Sequence, residues 1–292
     1  MNNIDKHIDK QIQPHKGYNF FGNKNRSLKF SKMIVGAIRK PELIGENRDT
    51  ILGITVQKVV HEFYRIYQYY HFDTNALSGL KSIYLDLYRL IKDNKKSLSH
   101  IEKLHTVRIK EWIRFHYPSA EKIFDSCPEY LLPVPCHEYS ASLQLRILNI
   151  KQNAVKGPVL DIGCGEHGLL VCSLREAGIE AFGIDRSAAH SPFLFPKDWL
   201  DFDYGDKKWG TLISHLGFSN HFRHHHLHKE GNFTQYAQCY LRILHSLRPG
   251  GEFCYAPALP FIEQYLHSDR YRCLYSPIPN MDFRAVRILK LG

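Results

Sequence analysis

The sequence contains no apolar run near the roughly 18 residues that a membrane-crossing helix requires, so no membrane span is expected. It has no Cys-x-x-Cys pair. Its seven cysteines (Cys127, Cys136, Cys164, Cys172, Cys239, Cys254 and Cys273) are scattered and odd in number. That pattern argues against a disulfide framework and a thiolate zinc site, and fits reduced thiols. The opening MNNIDKHIDKQIQPHK lacks the apolar core of a secretion signal, which makes the cytoplasm the expected address. Repeats and low-complexity tracts are also missing. Acidic residues are under-represented, for the net charge is +10. Residues 1–150 hold 23 Lys and Arg against 15 Asp and Glu, whereas residues 151–292 hold 16 against 14. A basic N-terminal half suits contact with RNA, DNA or an acidic partner, but a mildly basic solvated surface accounts for it more simply. With 292 residues, 43% of them hydrophobic, the chain has material for one large domain or two modest ones.

What is present falls into two textures. Residues 1 to about 30 are polar and read as a loose arm. Val56, Val59, Val60, Phe63, Ile66, Tyr67 and Tyr70 then recur at helical spacing, and Leu77, Leu80, Ile83, Tyr84, Leu87, Leu90 and Ile91 repeat the pattern. A third helix is expected over Ser97 to Phe115, and a further one in HEYSASLQLRILNI after the proline-rich Leu131–Pro135. Beyond Pro158 strands and helices alternate, as in a parallel sheet with crossovers. The expected strands are Val159–Ile162, Ala181–Ile184, a short run at Phe193–Phe195, Thr211–Ser214, Glu252–Ala256, Arg270–Leu274 and Phe283–Leu291. The last two have no helix between them, which implies a hairpin and one antiparallel strand. The expected division is an N-terminal helical region, 1–150, and an α/β domain, 151–292.

The stretch VLDIGCGEHG carries the chemistry. Gly163, Gly165 and Gly168 form G-x-G-x-x-G after a strand, a loop that turns tightly and brings its backbone close to a nucleotide. Asp185 lies 20 residues beyond Gly165 at a strand end, where a carboxylate can accept both ribose hydroxyls. A nicotinamide dinucleotide and S-adenosylmethionine (SAM) meet these requirements equally. Asp161 separates them: a carboxylate two residues before the first glycine repels a pyrophosphate and attracts the sulfonium and ammonium of SAM. The helix stop and turn LRPGG, Leu247 to Gly251, and the closing strand pair point the same way.

At these residues the chain resembles the class I SAM-dependent methyltransferases. DIGCGEHG looks like their first motif, FGIDRS their ribose-binding acidic turn, and SLRPGGEF their turn before the fifth strand. The resemblance spans about residues 155–292. It implies a doubly wound, mostly parallel seven-stranded α/β sheet, here with an N-terminal α-helical cap, and SAM as cofactor. It also implies that Asp185 holds the ribose and that a carboxylate after the third strand reads the adenine amine; Asp198 is the candidate for the latter.

Methyl transfer requires the acceptor to be held in line with the methyl group in a dry site, and a base if the acceptor arrives protonated. After the fourth strand, SHLGFSNHFRHHHLH places His215, His221, His224, His225, His226 and His228 within 14 residues. His215 and His221, nearest the strand end, are the candidate bases, with an expected apparent pKa near 6–7. Imidazoles one turn apart can share a metal, but no H-E-x-x-H occurs, and a packed or solvated helix is the preferred reading; no metal is expected. Before the first strand stand Glu138, Tyr139, Ser140 and Gln144, and Tyr139 is a candidate to cover the sulfonium by a cation–π contact. An ordinary linking helix is the alternative there.

The residues after the fourth strand do not read Asp/Asn-Pro-Pro-aromatic, which lowers DNA as a substrate, and no RNA-binding accessory signature stands out. The expected function is therefore SAM-dependent methylation of a small-molecule acceptor, with nucleic acid an unfavoured partner. Two alternatives remain: transfer or cyclisation of the aminocarboxypropyl arm of SAM, releasing methylthioadenosine, and methylation of ribosomal RNA docked on the basic N-terminal region. The acceptor and the oligomeric state are not legible.

Overall fold

The computed structural model describes residues 3–17, 19, 21, 27–40, 48–118, 120, 122 and 138–292. The chain divides into two compact units, Met1–Pro135 and Cys136–Gly292.

The described residues of the first unit form α1 (Asn3–Ile12), α2 (Lys32–Arg39), α3 (Arg48–Ile66), α4 (Thr74–Asp93) and α5 (Leu98–His116). Their ends follow from capping chemistry. Ser31, Asp73 and Ser97 each accept a hydrogen bond from a first-turn amide, and Asn94 closes α4 in the left-handed conformation. Phe63, Tyr70, Phe72, Leu80, Trp112 and Ile113 form the core, and the Trp112 indole N–H donates to Ala76 O at 2.9 Å. The expected loose arm is a helix over part of its length. Ile8 and Ile12 of α1 pack on Ile51 and Ile54, and Lys58 reaches Asp5 and Asp9. The apolar residues of α1 are too few to signal a helix by themselves; their partners on α3 supply the burial that a short helix needs.

The second unit is built on a seven-stranded sheet: β1 (Val159–Ile162), β2 (Ala181–Ile184), β3 (Leu194–Phe195), β4 (Trp209–His215), β5 (Leu247–Ala256), β6 (Tyr271–Pro277) and β7 (Arg284–Lys290). Their order is β3-β2-β1-β4-β5-β7-β6. The first five pair in parallel, while β7 runs antiparallel to both β5 and β6, the expected hairpin.

Helices cover both faces. Leu160, Ile162, Leu212 and Phe253 pack with Phe222, Tyr240 and Leu244 from α8 (Phe218–Leu227) and α9 (Phe233–Ser246). Val159, Ala181 and Ile213 pack with Leu145, Leu170 and Leu174 on the other face, from α6 (Ala141–Ile147) and α7 (Leu169–Glu176). The helix at 141–147 therefore shares its core with the sheet and belongs to the second unit. A last short helix, α10 (Pro260–Glu263), follows β5.

Three strands extend beyond the expected limits, β6 by running on to Pro277. β5 begins at Leu247, because the pairing jumps from Trp209↔Leu247 to Thr211↔Glu252 and leaves Pro249-Gly250-Gly251 as an irregularity within the strand. β4 starts two residues early for the same reason. Among the described residues no helix is long and apolar enough to cross a membrane, and Cys164, Cys172, Cys239, Cys254 and Cys273 are free thiols. Cys127 and Cys136 lie outside the described residues.

Strand order reverses between β1 and its neighbours β2 and β4. In open α/β sheets the crevice outside the carboxyl ends of the strands at such a point is where ligands bind. The glycine loop follows β1 there, Asp185 follows β2, and the turn at Leu216-Gly217 follows β4.

Candidate cofactor and active site

The glycine loop is held by β2. The amides of Gly163 and Cys164 donate to Ile184 O at 2.8 and 3.2 Å, and the Gly165 amide donates to Asp185 Oδ2 at 3.2 Å. All three glycines have positive φ. At two of them a Cβ would also crowd a neighbouring side chain, which would have to shift. A Cβ on Gly165 would stand 2.7 Å from Glu138 Oε1, and one on Gly168 would stand 2.6 Å from Leu194 Cδ2. Gly168 then caps the start of α7 in the left-handed conformation.

The loop is surrounded by acid. Asp161, 1% exposed, has no hydrogen-bond partner for either carboxylate oxygen. Burial, and next the nearby Asp185 charge, push its pKa up to about 7. Asp185 is raised by burial too, against the opposing hydrogen bond from the Ser187 amide, 2.8 Å from Oδ1. Glu138 accepts from the His167 amide at 2.8 Å. After burial itself, the charges of Asp161, Asp185 and Glu138 all raise the Cys164 thiol, which places the three carboxylates around one residue of the loop. A buried carboxylate without a partner is costly, and a cation there relieves it.

Asp198 lies between β3 and β4. Its Oδ1 accepts from the Leu200 amide at 2.9 Å, and its Oδ2 is 4.0 Å from Arg186 Nη1. The neighbouring Trp199 presents its ring 3.3 Å from where a Cβ on Gly163 would stand, and its buried indole N–H has no partner. Sequence reasoning passed over Trp199. Its place beside Asp198 was the only available signal.

On the acceptor side Tyr139 and His215 meet. The Tyr139 ring stands edge-on to the imidazole, with centroids 4.9 Å apart. His215 is buried, its Nε2 has no partner, and burial lowers its pKa to about 4, below the 6–7 expected from sequence. It is therefore neutral at pH 7 and able to accept a proton. His221 goes elsewhere: its ring is edge-on to Trp199 at 4.8 Å, and Nδ1 lies 3.3 Å from the Tyr236 hydroxyl. Burial holds it well below the usual histidine range.

The other histidines of α8 are spent on packing. His225 stacks on Tyr236, His226 on Phe261 at 3.9 Å, and His224 on His228 at 4.0 Å. Among the described residues no three His, Cys, Asp or Glu are gathered as a metal site. Of the remaining residues singled out before β1, Ser140 caps α6 and Gln144 donates to Tyr139 O at 2.8 Å.

No protein-family model matches the sequence, and no curated protein matches it. Solved structures with a similar backbone include a 1,6-didemethyltoxoflavin-N1-methyltransferase from Burkholderia thailandensis with bound S-adenosylhomocysteine. It is 17% identical, the match covers 46% of this chain and 71% of that one, and the TM-score is 0.31. An N-methyltransferase from Bradyrhizobium japonicum in complex with S-adenosylhomocysteine is 13% identical over 52% of this chain and 86% of its own, at 0.36. An rRNA methylase from Streptococcus thermophilus is 11% identical over 54% and 100%, also at 0.36. The second unit has the class I SAM-dependent methyltransferase fold. That assignment rests on its own strand order, with β7 antiparallel beside β5 and β6 at the edge.

Proposed function

We propose that the chain is a SAM-dependent methyltransferase acting on a small-molecule acceptor. The observation that carries the reading is Asp161, a buried carboxylate with no partner beside a loop whose three glycines all adopt positive φ. A cationic ligand suits that place and a pyrophosphate does not. Under this reading Asp161 balances the positively charged end of SAM, the loop from Gly163 to Gly168 admits it closely, and Asp185 accepts the ribose hydroxyls with the lone pairs left free by Gly165 and Ser187. Asp198 and Trp199 border the adenine. SAM supplies the electrophilic methyl group.

The chain's own part in the reaction is positioning, exclusion of water and proton transfer. His215, neutral and without a partner at Nε2, takes the proton of the acceptor. Tyr139 orients that imidazole and covers the reacting end. His221, packed against Trp199, is assigned no proton transfer. Catalysis belongs to the second unit, and the helical unit, expected as a cap, is assigned a role in choosing the acceptor.

The turn Leu216-Gly217-Phe218 departs from the Asp/Asn-Pro-Pro-aromatic pattern of many DNA and glutamine amino methyltransferases, which lowers DNA as a substrate. The test is incubation with SAM and a metabolite extract, followed by mass spectrometry of the sulfur product. S-adenosylhomocysteine with a methylated metabolite supports the proposal. Methylthioadenosine would move the chemistry to the aminocarboxypropyl arm, and methylation only of added ribosomal RNA would move the substrate class.

A further inference from the structure

Leu216 holds a backbone conformation that leucine rarely takes. It follows His215 at the end of β4 and has a φ of 56°, in the left-handed region where a Cβ crowds the following carbonyl oxygen. Among the described residues the other non-glycine members of that region are Asn94, Asn149 and Asn280, of a type that tolerates it, and Lys207 in an exposed bend. Leu216 is the apolar one.

Hydrogen bonds hold it there. The Leu216 amide donates to Ala256 O at 3.0 Å, and the Leu216 carbonyl accepts from Asn220 Nδ2 at 2.8 Å. Ser214 Oγ donates to Ile162 O at 2.8 Å and accepts from the Phe218 amide at 3.1 Å, and Ser219 Oγ donates to Ala256 O at 2.6 Å. The turn is thereby tied to the carboxyl ends of β1 and β5. A strained residue persists only where its surroundings over-determine it, and such residues gather at functional sites.

Packing does not account for the leucine. Phe218 belongs to one apolar core of the second unit and Ala256 to the other, whereas Leu216, half-buried, is packed on neither. Glycine would hold the same backbone without the strain, so the side chain is what the strain retains. Its neighbours are the groups assigned to the reaction. His215 precedes it, with the partly exposed Tyr139 ring against that imidazole. Gly217 follows it, so near the cofactor loop that a Cβ there would stand 3.6 Å from Gly163 Cα.

We propose that Leu216 selects the acceptor, meeting an apolar face of that molecule beside the atom that is methylated, and so favours an acceptor without phosphate groups. The inference rests on the methyltransferase reading above. An apolar side chain at the reacting end keeps water from it. A phosphate would be desolvated there, and the turn from Ser214 to Phe218 contains no lysine or arginine to meet it.

The experiment gives the full chain SAM with a deuterated methyl group and a metabolite extract, and reads the labelled products by mass spectrometry. The parent's main labelled product is expected to carry no phosphate. Leu216→Gly and Leu216→Asn should lower its yield at least about tenfold, while Leu216→Met, apolar and similar in volume, stays within about threefold. Calorimetry should find S-adenosylhomocysteine bound by all three variants as tightly as by the parent. Leu216→Gly and Leu216→Asn should melt no lower than the parent, because both relieve the strained φ. A phosphorylated main product, unchanged labelling by Leu216→Gly, or a loss shared by Leu216→Met overturns the proposal. So does a melting temperature lowered by more than about 4 °C in both Leu216→Gly and Leu216→Asn, which would make the leucine a packing residue. A tenfold loss of S-adenosylhomocysteine affinity, which would assign it to the cofactor, overturns it too. A parent protein that labels nothing refutes the methyltransferase reading and this inference with it, whereas equal labelling by parent and Leu216→Gly refutes the inference alone.

Discussion

The Gly165 amide donates to Asp185 Oδ2 at 3.2 Å, so the residue proposed to hold the ribose also braces the loop that admits the cofactor. Asp185→Ala is therefore expected to lower SAM affinity by more than the lost ribose bonds alone. Charge-assisted hydrogen bonds are worth roughly 1.5–3 kcal/mol each, so a fall of at least tenfold is expected, and of less for Asp185→Asn, which keeps one acceptor. Calorimetry with each variant checks this. Unchanged affinity in the alanine variant would remove Asp185 from the site.

Asp161→Asn separates binding from stability. The parent carboxyl titrates near 7 in the fold, above its ordinary value, so between about pH 4 and 7 the folded state holds a proton that the unfolded chain releases. Its contribution is favourable below that range and is lost as pH rises through about 7. The variant should melt above the parent without SAM, by a margin that widens from pH 4 to 7 and then levels, at roughly 2–4 °C per kcal/mol for a unit of this size. SAM affinity should fall. Melting curves across pH with and without SAM test both halves, and a variant that binds SAM as tightly as the parent contradicts the proposed role.

His215→Asn is expected to lower turnover by roughly 10²–10⁴-fold with SAM affinity unchanged. Because burial holds the imidazole near 4, the limb of the pH–rate profile that reports it should lie near pH 4 and leave the rate flat from 6 to 8. Tyr139→Leu, which removes the ring packed on His215, should shift that limb upward as water enters. A limb at 6–7 in the parent enzyme would show that another group is the base.

The rings of α8 pack on Tyr236, Phe261 and one another, so a chelator should leave turnover unchanged. His224→Ala should stay within about threefold of the parent in turnover, whereas His225→Ala, which removes a buried ring stacked on Tyr236, should lower the melting temperature. Abolition of activity by chelation would contradict this account of the histidines.

The order of elements in the second unit was legible because each signal is local. Val159–Ile162 is a short, mostly apolar run, Gly163 and Gly165 mark a backbone turned to positive φ, and Gly178, with φ of 80°, follows the end of α7. The two-residue β3 was weak in sequence because a strand at the sheet edge needs few residues to pair, and the early start of β5 was hidden because a strand interrupted by Pro249-Gly250-Gly251 has no clean alternation. The helix of the first residues was missed because its stability comes from α3, far along the chain.

By itself, the sequence determined the acidic, glycine-rich loop and the alternation of strand and helix, since dihedral preference, capping and periodicity act between near neighbours. Only the tertiary structure decided which of the histidines meets Tyr139, that His221 turns to Trp199 and Tyr236, and that Asp161 is buried without a partner. Those facts depend on which distant side chains close around a group and whether water is left beside it. Burial and the electrostatics it creates belong to the assembled fold, and no stretch of sequence carries them alone.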